Sequence, residues 1–568
     1  MKVSDYIVDF IYAQGVTHIF EVVGGMITHL IDSMHRNGNI QIVSMHHEQA
    51  AAFAAEGFAR VTGTPGVALA TSGPGATNLL TGIGSCFFDS IPTVFITGQV
   101  NRTEMKGELP IRQLGFQETD IVAMAGPITK AAWCLTSIEE VPARLEQAFR
   151  IALSGRPGPV LLDIPMDVQR AGISADPPKK IRAVDLDCEK RIELKNLLEQ
   201  LGNARRPLIL AGGGLRSGRS MELFRQFAMQ IGVPVVNSLL AVDALPYSHP
   251  LRVGLIGTYG NRWANLAMGE ADFLLVLGSR LDIRQTGSET DAFKDNRVIY
   301  HVDCDPGEIN NRIKGCVPII CQLSSFLTQA ITASSSFVFP DRSAWLAEIS
   351  VLKRTWPDIA ELNNIPGINP NYFIHKLSQY SSHASAYIVD VGQHQMWAGQ
   401  SIELLANQRF MTSGGMGAMG ASLPLAVGAV FALTGVPVVA IAGDGGFQLN
   451  LQELQTVVQY HLPIKMVILN NKAYGMVRQF QQSYFEERYQ STVWGFSAPD
   501  FTRIAQAYDI PACSIHAPDE VEQGLIKMWE DPDSAFLLQV FIDTKANVYP
   551  KIAFGEPFTC MEPFIKPK

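Results

Sequence analysis

The stretch GDGGFQLNLQELQTVVQYHLPIKMVILNN, Gly443 to Asn471, sets Asp444 between glycines at one end and closes on paired asparagines at the other. VPVVAIA before Asp444 and PIKMVIL before Asn470 both read as short, fully apolar strands. The spacing of Leu451, Leu454, Val457 and Val458 predicts an amphipathic helix between them, with Asn450 as its N-cap. A strand, helix, strand crossover is right-handed and leaves its strands parallel, so Asp444 and Asn471 are expected side by side at one sheet edge. A carboxylate, an amide oxygen and backbone carbonyls there form a hard-oxygen set suited to Mg²⁺, whose remaining positions go to water or phosphate oxygens. Gly445 and Gly446 let a diphosphate approach the backbone closely. An ordinary turn followed by an Asn-rich strand exit has the same spacing.

The elements around this unit follow the same grammar. IQIVSM leads into EQAAAFAAEGFARVTG, a helix; GVALATSGPGATNLLTGIGSCFF is strand, glycine turn and helix; TVFITGQV is the next strand. The last third repeats the pattern with YIVDVGQHQMW, a helix in GGMGAMGASLPLAVGAVFA, and the opening unit. Between these similar halves, PLILAGGG, VPVVNSLLA, DFLLVLGSR and VIYHVDCD are strands whose ends carry Gly, Asp or Arg. Alternating strands and helices predict parallel sheets covered on both faces. PPKKIRAVDLDCEKRIE reads as one linker, and TASSSFVFPDRS with ELNNIPGINPN as the passage into the last domain. A chain of 568 residues is too long for one core, and three α/β domains are expected.

A hydrophobic content of 47% with 48 Gly and 32 Pro fits a globular α/β enzyme, and a net charge of −9 gives no electrostatic footprint for nucleic acid or an anionic membrane. MKVSDYIVDFIYAQG looks like an amphipathic first helix and not a signal peptide, and no apolar stretch reaches the length of a membrane span. A soluble, cytoplasmic protein is the expectation. The eight cysteines are scattered, and buried reduced thiols are expected in preference to disulfides or zinc ligands.

Taken in order, HEQAAAFAAEGFAR, TSGPGATNL, GFQETDI, GRPGPVLLDIP, DVGQHQMWA, SGGMGAMG and GDG followed after 24 residues by NN resemble the thiamine diphosphate enzymes of the acetolactate synthase group, along nearly the whole chain. The resemblance implies a pyrimidine-binding domain at 1–172, a central FAD or nucleotide-binding-like domain at 190–335 and a diphosphate and Mg²⁺ domain at 366–555, each a doubly wound parallel sheet. By it, Asp444, Asn471 and the carbonyl of Ala473 are Mg²⁺ ligands. Glu48 is the activating glutamate beside the pyrimidine, although a Glu in a helix first turn is also favoured by the macrodipole. Met419 is the apolar wedge that bends the cofactor, where a Met in a glycine-rich helix start is ordinarily packing. Gly417 receives the 4′-amino group; Gln393, His394, Gly445, Gly446 and Met476 complete the cofactor contacts. Arg156, Gly213, Gly214, Arg280 and Asp303 resemble the FAD-binding segments, a glycine and acid pattern shared by nucleotide sites in general, and some relatives are flavin-free or hold ADP.

In this family the cofactor carries the carbanion chemistry while the protein supplies conformation and proton handling. The resemblance implies decarboxylation of pyruvate and transfer of the two-carbon acetyl equivalent to a second carbonyl substrate, in a homodimer or homotetramer whose sites lie between chains. Phe116 and Gln117 match the substrate channel, and Arg284 matches an arginine that holds an acceptor carboxylate, a surface or flavin-stacking role being its alternative. Three departures touch the acceptor: Phe480 stands where synthases have tryptophan, Leu281-Asp282-Ile283-Arg284 lacks a second acid, and VNRTEMKGELPIRQLGFQE is longer than the usual loop. A carboligase acting on a nucleotide-linked keto sugar, a non-oxidative 2-oxo acid decarboxylase and a catalytically silent regulatory homologue are therefore the alternatives.

Overall fold

The computed structural model describes residues 1–181 and 191–563, so most of the expected linker, from 182 to 190, lies outside the described residues. Among the described residues are three six-stranded sheets, each wholly parallel, with helices on both faces. Inner strands such as Gly66–Ala70 and Phe273–Leu277 are buried along their whole length. A strand covered on both faces has no solvent side to alternate with, which is why these segments read as unbroken apolar runs.

The N-terminal sheet runs Gln41–Ser44, His18–Val22, Gly66–Ala70, Thr93–Gln99, Pro159–Pro165, Ala131–Cys134, which is 2-1-3-4-6-5 in chain order. The C-terminal sheet repeats that order with Arg409–Thr412, Ala386–Val389, Val438–Gly443, Ile464–Asn470, Phe536–Phe541 and Ala512–Ile515. The central sheet runs Arg252–Leu255, Val235–Asn237, Pro207–Ala211, Phe273–Leu277, Val298–Asp303, Val317–Ile320, or 3-2-1-4-5-6, the strand order of dinucleotide-binding sheets. Each sheet has one point where the winding reverses and a crevice opens beyond the strand C-termini. In the outer sheets it lies between their first and third strands, and in the central sheet between its first and fourth.

The outer domains of one chain meet along a seam of small residues. Helix Glu48–Thr62 is alanine-rich, capped at its start by His47 and ended by Gly63 at φ +69°. It packs against helix Ser422–Ala432, and both cross through glycine. A Cβ on Gly57 would collide with the carbonyl of Leu425, and one on Gly428 with the carbonyl of Ala54. Ala50 to Ala55 are buried beneath that contact.

Two local expectations are corrected. The segment after Asp444 is not one amphipathic helix capped by Asn450: a turn at Asp444–Phe447 and a 3₁₀ stretch at Gln448–Glu453 precede the helix Leu454–Gln459. Asn450 breaks the helical geometry at φ −135° because its side chain donates elsewhere, to Gly420 O at 2.8 Å and Gln49 Oε1 at 3.1 Å. Likewise GGMGAMG is not a helix start. The helix begins at Ser422, and Met419 lies in the loop before it, where positive φ at Gly417 (+68°) and Gly420 (+80°) excludes helical continuity. The seven described cysteines are free thiols, three buried and four half-buried, so burial is less complete than expected.

Candidate functional site

Val438–Gly443 and Ile464–Asn470 pair in parallel with Gly443 opposite Leu469, which brings Asp444 and Asn471 to one edge as the crossover requires. Asp444 is buried; its Oδ1 accepts from Gly445 N at 3.0 Å, while Oδ2 has no partner. Burial pushes this carboxyl up to about 7 despite the backbone amides of Gly445, Lys472 and Ala473 that face it. The Ala473 amide also donates to Asn471 Oδ1 at 3.2 Å, so both side-chain oxygens gather around one buried residue. Asn471 in turn donates from Nδ2 to Gln393 Oε1 at 3.0 Å, and Gln393 Nε2 is fixed by Ala546 O at 3.0 Å and Gln479 Oε1 at 3.2 Å. The Gln393 to Asn471 contact is possible because residue 475 is glycine: a Cβ there would overlap Gln393 Oε1 and Asn471 Nδ2. Gly445 similarly makes room for the ring of Tyr474.

His394, buried against Gly392 and Gly443, also carries an unpartnered Nε2. Desolvation lowers its pKa to about 3, so the imidazole is neutral. Two buried polar atoms without partners at one sheet mouth, Asp444 Oδ2 and His394 Nε2, are what a polar ligand would satisfy. Among the described residues no group of three or more His, Cys, Asp or Glu is arranged to hold a metal ion. A cation at this mouth would be held by one carboxylate, an amide oxygen and backbone oxygens, a donor set for a hard ion that keeps water or phosphate.

Asp390, at the end of the first strand of this sheet, was not singled out from the sequence. Its two oxygens accept Gly420 N at 2.9 and 3.0 Å, Val391 N at 2.7 Å and Ser422 Oγ at 3.2 Å. Burial raises its pKa to about 6. The signal available was its place: an Asp directly after an apolar strand, at the winding reversal. Asp390 tethers the loop that presents Gly417 and the half-buried Met419. Met476 is half-buried against the C-terminal core nearby.

Glu48 occupies the first position of its helix in the N-terminal domain. Its Oε2 accepts Asn78 Nδ2 at 2.9 Å, and a Cβ on Gly75 would lie 3.2 Å from Oε1. Asn78 belongs to TSGPGATNL, yet nothing in the spacing marked it as the glutamate's partner. Gln117 has φ +68° and packs against Gly73, while Phe116 is 81% exposed. Phe480 is 53% exposed and lies 4.6 Å from Tyr484 and 5.9 Å from Phe485, centroid to centroid.

Arg156, Gly213, Gly214, Arg280 and Asp303 all line one cleft at the reversal point of the central sheet. Arg156 reaches it from the N-terminal domain, pairing with Glu308 at 2.6 Å and donating to Ser90 Oγ at 2.8 Å. Gly214 and Gly278 pack backbone on backbone, 2.8 Å for a Cβ added to Gly214, which no side chain could enter. Arg284 also lines this cleft, beside Tyr259.

The chain matches the family description "Thiamine pyrophosphate enzyme, N-terminal TPP binding domain" over residues 1–124, the corresponding central domain over 194–330 and the C-terminal TPP binding domain over 390–540. It is 36% identical to the acetolactate synthase large subunit of Lactococcus lactis subsp. lactis, across 95% of this chain and 92% of that one. The acetolactate synthase isozyme 2 large subunit of Escherichia coli is 36% identical across 98% of both chains. The probable acetolactate synthase large subunit of Methanocaldococcus jannaschii is 36% identical across 98% of this chain and 95% of that one.

Proposed function

The chain belongs to the thiamine pyrophosphate enzyme family, within its acetolactate synthase group, and from that premise we propose that it decarboxylates pyruvate and joins the two-carbon acetyl unit to a second 2-oxo acid. It is a thiamine diphosphate-dependent carboligase. The relatives lend no support to a keto-sugar carboligase, a simple decarboxylase or a silent homologue. The observation that carries the cofactor reading is the convergence of Asp444, Asn471, Gln393 and His394 at one sheet mouth, where Asp444 Oδ2 and His394 Nε2 are buried without partners, and the substrate reading follows the acetolactate synthase relatives.

When bound, the cofactor supplies a nucleophilic carbon and a sink for the electrons released with CO₂. The residues of this chain hold and aim it. Asp444 and Asn471, with the carbonyl of Ala473, take Mg²⁺, and Gly445, Gly446 and neutral His394 receive the diphosphate. Glu48 keeps Oε2 on Asn78, which leaves Oε1 to exchange a proton with the pyrimidine. The carbonyl of Gly417 would accept the cofactor's amino group, and Met419 would supply an apolar contact to it. Phe116, Gln117 and Phe480 shape the acceptor's approach.

FAD in the central cleft is the further cofactor of this reading. The 3-2-1-4-5-6 strand order, the glycine turn at its reversal point and Asp303 at a strand end suit a dinucleotide. Residues 1–172, 190–335 and 366–555 then serve pyrimidine, flavin and diphosphate. The uncovered rings of Phe116 and Phe480 suit a second copy, in a homodimer or homotetramer.

The test is incubation of purified protein with pyruvate, thiamine diphosphate and Mg²⁺, with CO₂ and products followed by mass spectrometry. Acetolactate is the expected product. Failure to release CO₂ sinks the proposal, and acetaldehyde alone would replace it with the decarboxylase reading. A yellow protein whose flavin absorbance does not bleach during turnover is expected; no flavin uptake on titration removes FAD.

A further inference from the structure

A cluster of buried charge sits where all three domains meet, outside the groups assigned above. Asp89 ends the helix Leu80–Asp89, and its side chain is fully buried. Oδ2 accepts Gly414 N at 2.9 Å and Arg60 Nη2 at 2.6 Å, and Oδ1 accepts Gly415 N at 2.7 Å. Arg60 is held from behind by Glu56, at 2.6 and 2.9 Å, on the helix that begins with Glu48. Residue 415 has to be glycine for this seat, since a Cβ would lie 2.7 Å from Phe88 Cβ.

Gly414 and Gly415 open the loop that continues through Gly417 and Met419 to Gly420, where Asp390 takes the next backbone amide. One post of the loop thus comes from its own domain and the other, 325 residues away in sequence, from the N-terminal domain. Between the posts Gly415 and Met416 are exposed and Gly417 and Met419 half-buried, while buried Ala418 adds one bond within the loop's own domain, its N–H donating to Ser413 Oγ at 3.2 Å. The path of a short segment pinned at both ends is set by the pins. From this geometry we infer that Asp89 is a positioning residue for the cofactor, acting through the Gly414–Gly420 loop, with Arg60 holding its carboxylate in place.

A carboxylate is required, because three donors converge on two oxygens. An asparagine keeps the shape but turns an NH₂ towards an N–H, so one glycine amide or the guanidinium loses its acceptor. The inference rests on the reading of this loop as the one that faces thiamine diphosphate, and the test separates the two.

Amide hydrogen exchange is compared in wild-type protein and Asp89→Asn with no cofactor added. Exchange at Gly414 and Gly415 is expected to speed up about tenfold or more, with the helix Glu48–Thr62 unchanged. In the loaded enzyme, the Kd for thiamine diphosphate at fixed Mg²⁺ rises and kcat falls, each about tenfold, the lower end of what lost supporting contacts cost. KM for pyruvate stays constant, and Asp89→Glu restores part of the loss. Should Asp89→Asn fail to fold, Arg60→Lys serves in its place. It leaves the amide bonds but weakens their counter-charge, and changes exchange and kcat in the same direction. Unchanged exchange at Gly414 and Gly415, or faster exchange with unaltered cofactor affinity and kcat, overturns the inference. Wild-type protein that binds no thiamine diphosphate overturns the functional reading instead.

Discussion

Asn471 donates its side-chain amide to Gln393 Oε1 at 3.0 Å, and that bond decides which way its carbonyl oxygen faces. With Nδ2 engaged, Oδ1 is turned to the amide of Ala473 and the edge where Asp444 ends its strand. Gln393→Ala frees the rotation. Such a loss of an orienting partner typically costs ~10- to 100-fold in metal affinity. Calorimetric titration of Mg²⁺ in the presence of thiamine diphosphate reads it, and an unchanged affinity would show that Asn471 does not depend on Gln393.

Gly475→Ala should be harsher at the site than in the fold. The new Cβ drives into Gln393 Oε1 and Asn471 Nδ2, two side-chain ends, at the first position of the helix Gly475–Tyr484. The expected cost to stability is ~1–3 kcal/mol, typical of overpacking, accompanied by loss of saturable cofactor binding at accessible concentrations. Normal cofactor affinity in a folded Gly475→Ala protein refutes the crowding argument.

Glu48→Gln should keep cofactor and metal while losing activity by ~10² to 10⁴-fold, the usual cost of removing an acid or base. The amide can still accept from Asn78 but cannot exchange a proton. Deuterium exchange at the reactive carbon of bound cofactor gives a readout free of the acceptor, and wild-type exchange in the variant would remove Glu48 from the proton path.

Stability should fall as pH rises, through Asp163. This carboxyl, buried in the N-terminal sheet, accepts Thr97 Oγ1 at 2.6 Å and Gln99 Nε2 at 2.9 Å, yet desolvation pushes it up to about 7. A carboxyl whose folded pKa is raised contributes fully below its unfolded value near 4, and the contribution is lost as pH rises through about 7. The span is worth at most about 4 kcal/mol. Asp163→Asn removes the dependence, so melting temperatures of the variant and wild type should converge towards pH 4 and separate at pH 8, the variant being higher. Parallel curves would mean that Asp163 does not titrate in this window.

Phe480→Trp should redistribute products without slowing CO₂ release. The ring is half-exposed on a surface of Tyr484 and Phe485, so an indole can be added there without entering the core. Changes of one small group in an apolar pocket shift discrimination by ~1–3 kcal/mol. Competition between pyruvate and 2-oxobutyrate as acceptors measures the shift, and equal ratios in both proteins would take position 480 out of acceptor choice.

What could be read from the sequence was whatever depends on neighbours along the chain. The strands around Asp444 and Asn471 were legible because burial on both faces leaves an apolar run, and their adjacency followed from the handedness of a crossover. The cleft residues Gly213, Gly214 and Asp303 were legible as glycines and an acid at strand ends. Asn450 was misread because its partners, Gly420 and Gln49, are remote in sequence and outweigh its capping preference. Asp390 and Asp89 escaped for the same reason: each is an unremarkable Asp until the amides of Gly420, or of Gly414 and Gly415, are brought to it. Local pattern names the elements, and tertiary pairing names the posts that hold the loops.

The glycine seam between Glu48–Thr62 and Ser422–Ala432 also bears on biosynthesis. Its two sides are about 360 residues apart in the chain, the interval from Thr62 to Ser422. At roughly 5–20 residues per second of synthesis, the alanine face of the helix Glu48–Thr62 waits on the order of 20–70 s from its own synthesis before its partner is made. During that interval the nascent domain shows a flat, small-residue surface that a second nascent copy can also fit. Newly made chains therefore run a risk of pairing across polysomes that the completed protein does not, and slowing translation after residue 190 should raise the yield of misassembled protein more than slowing it before.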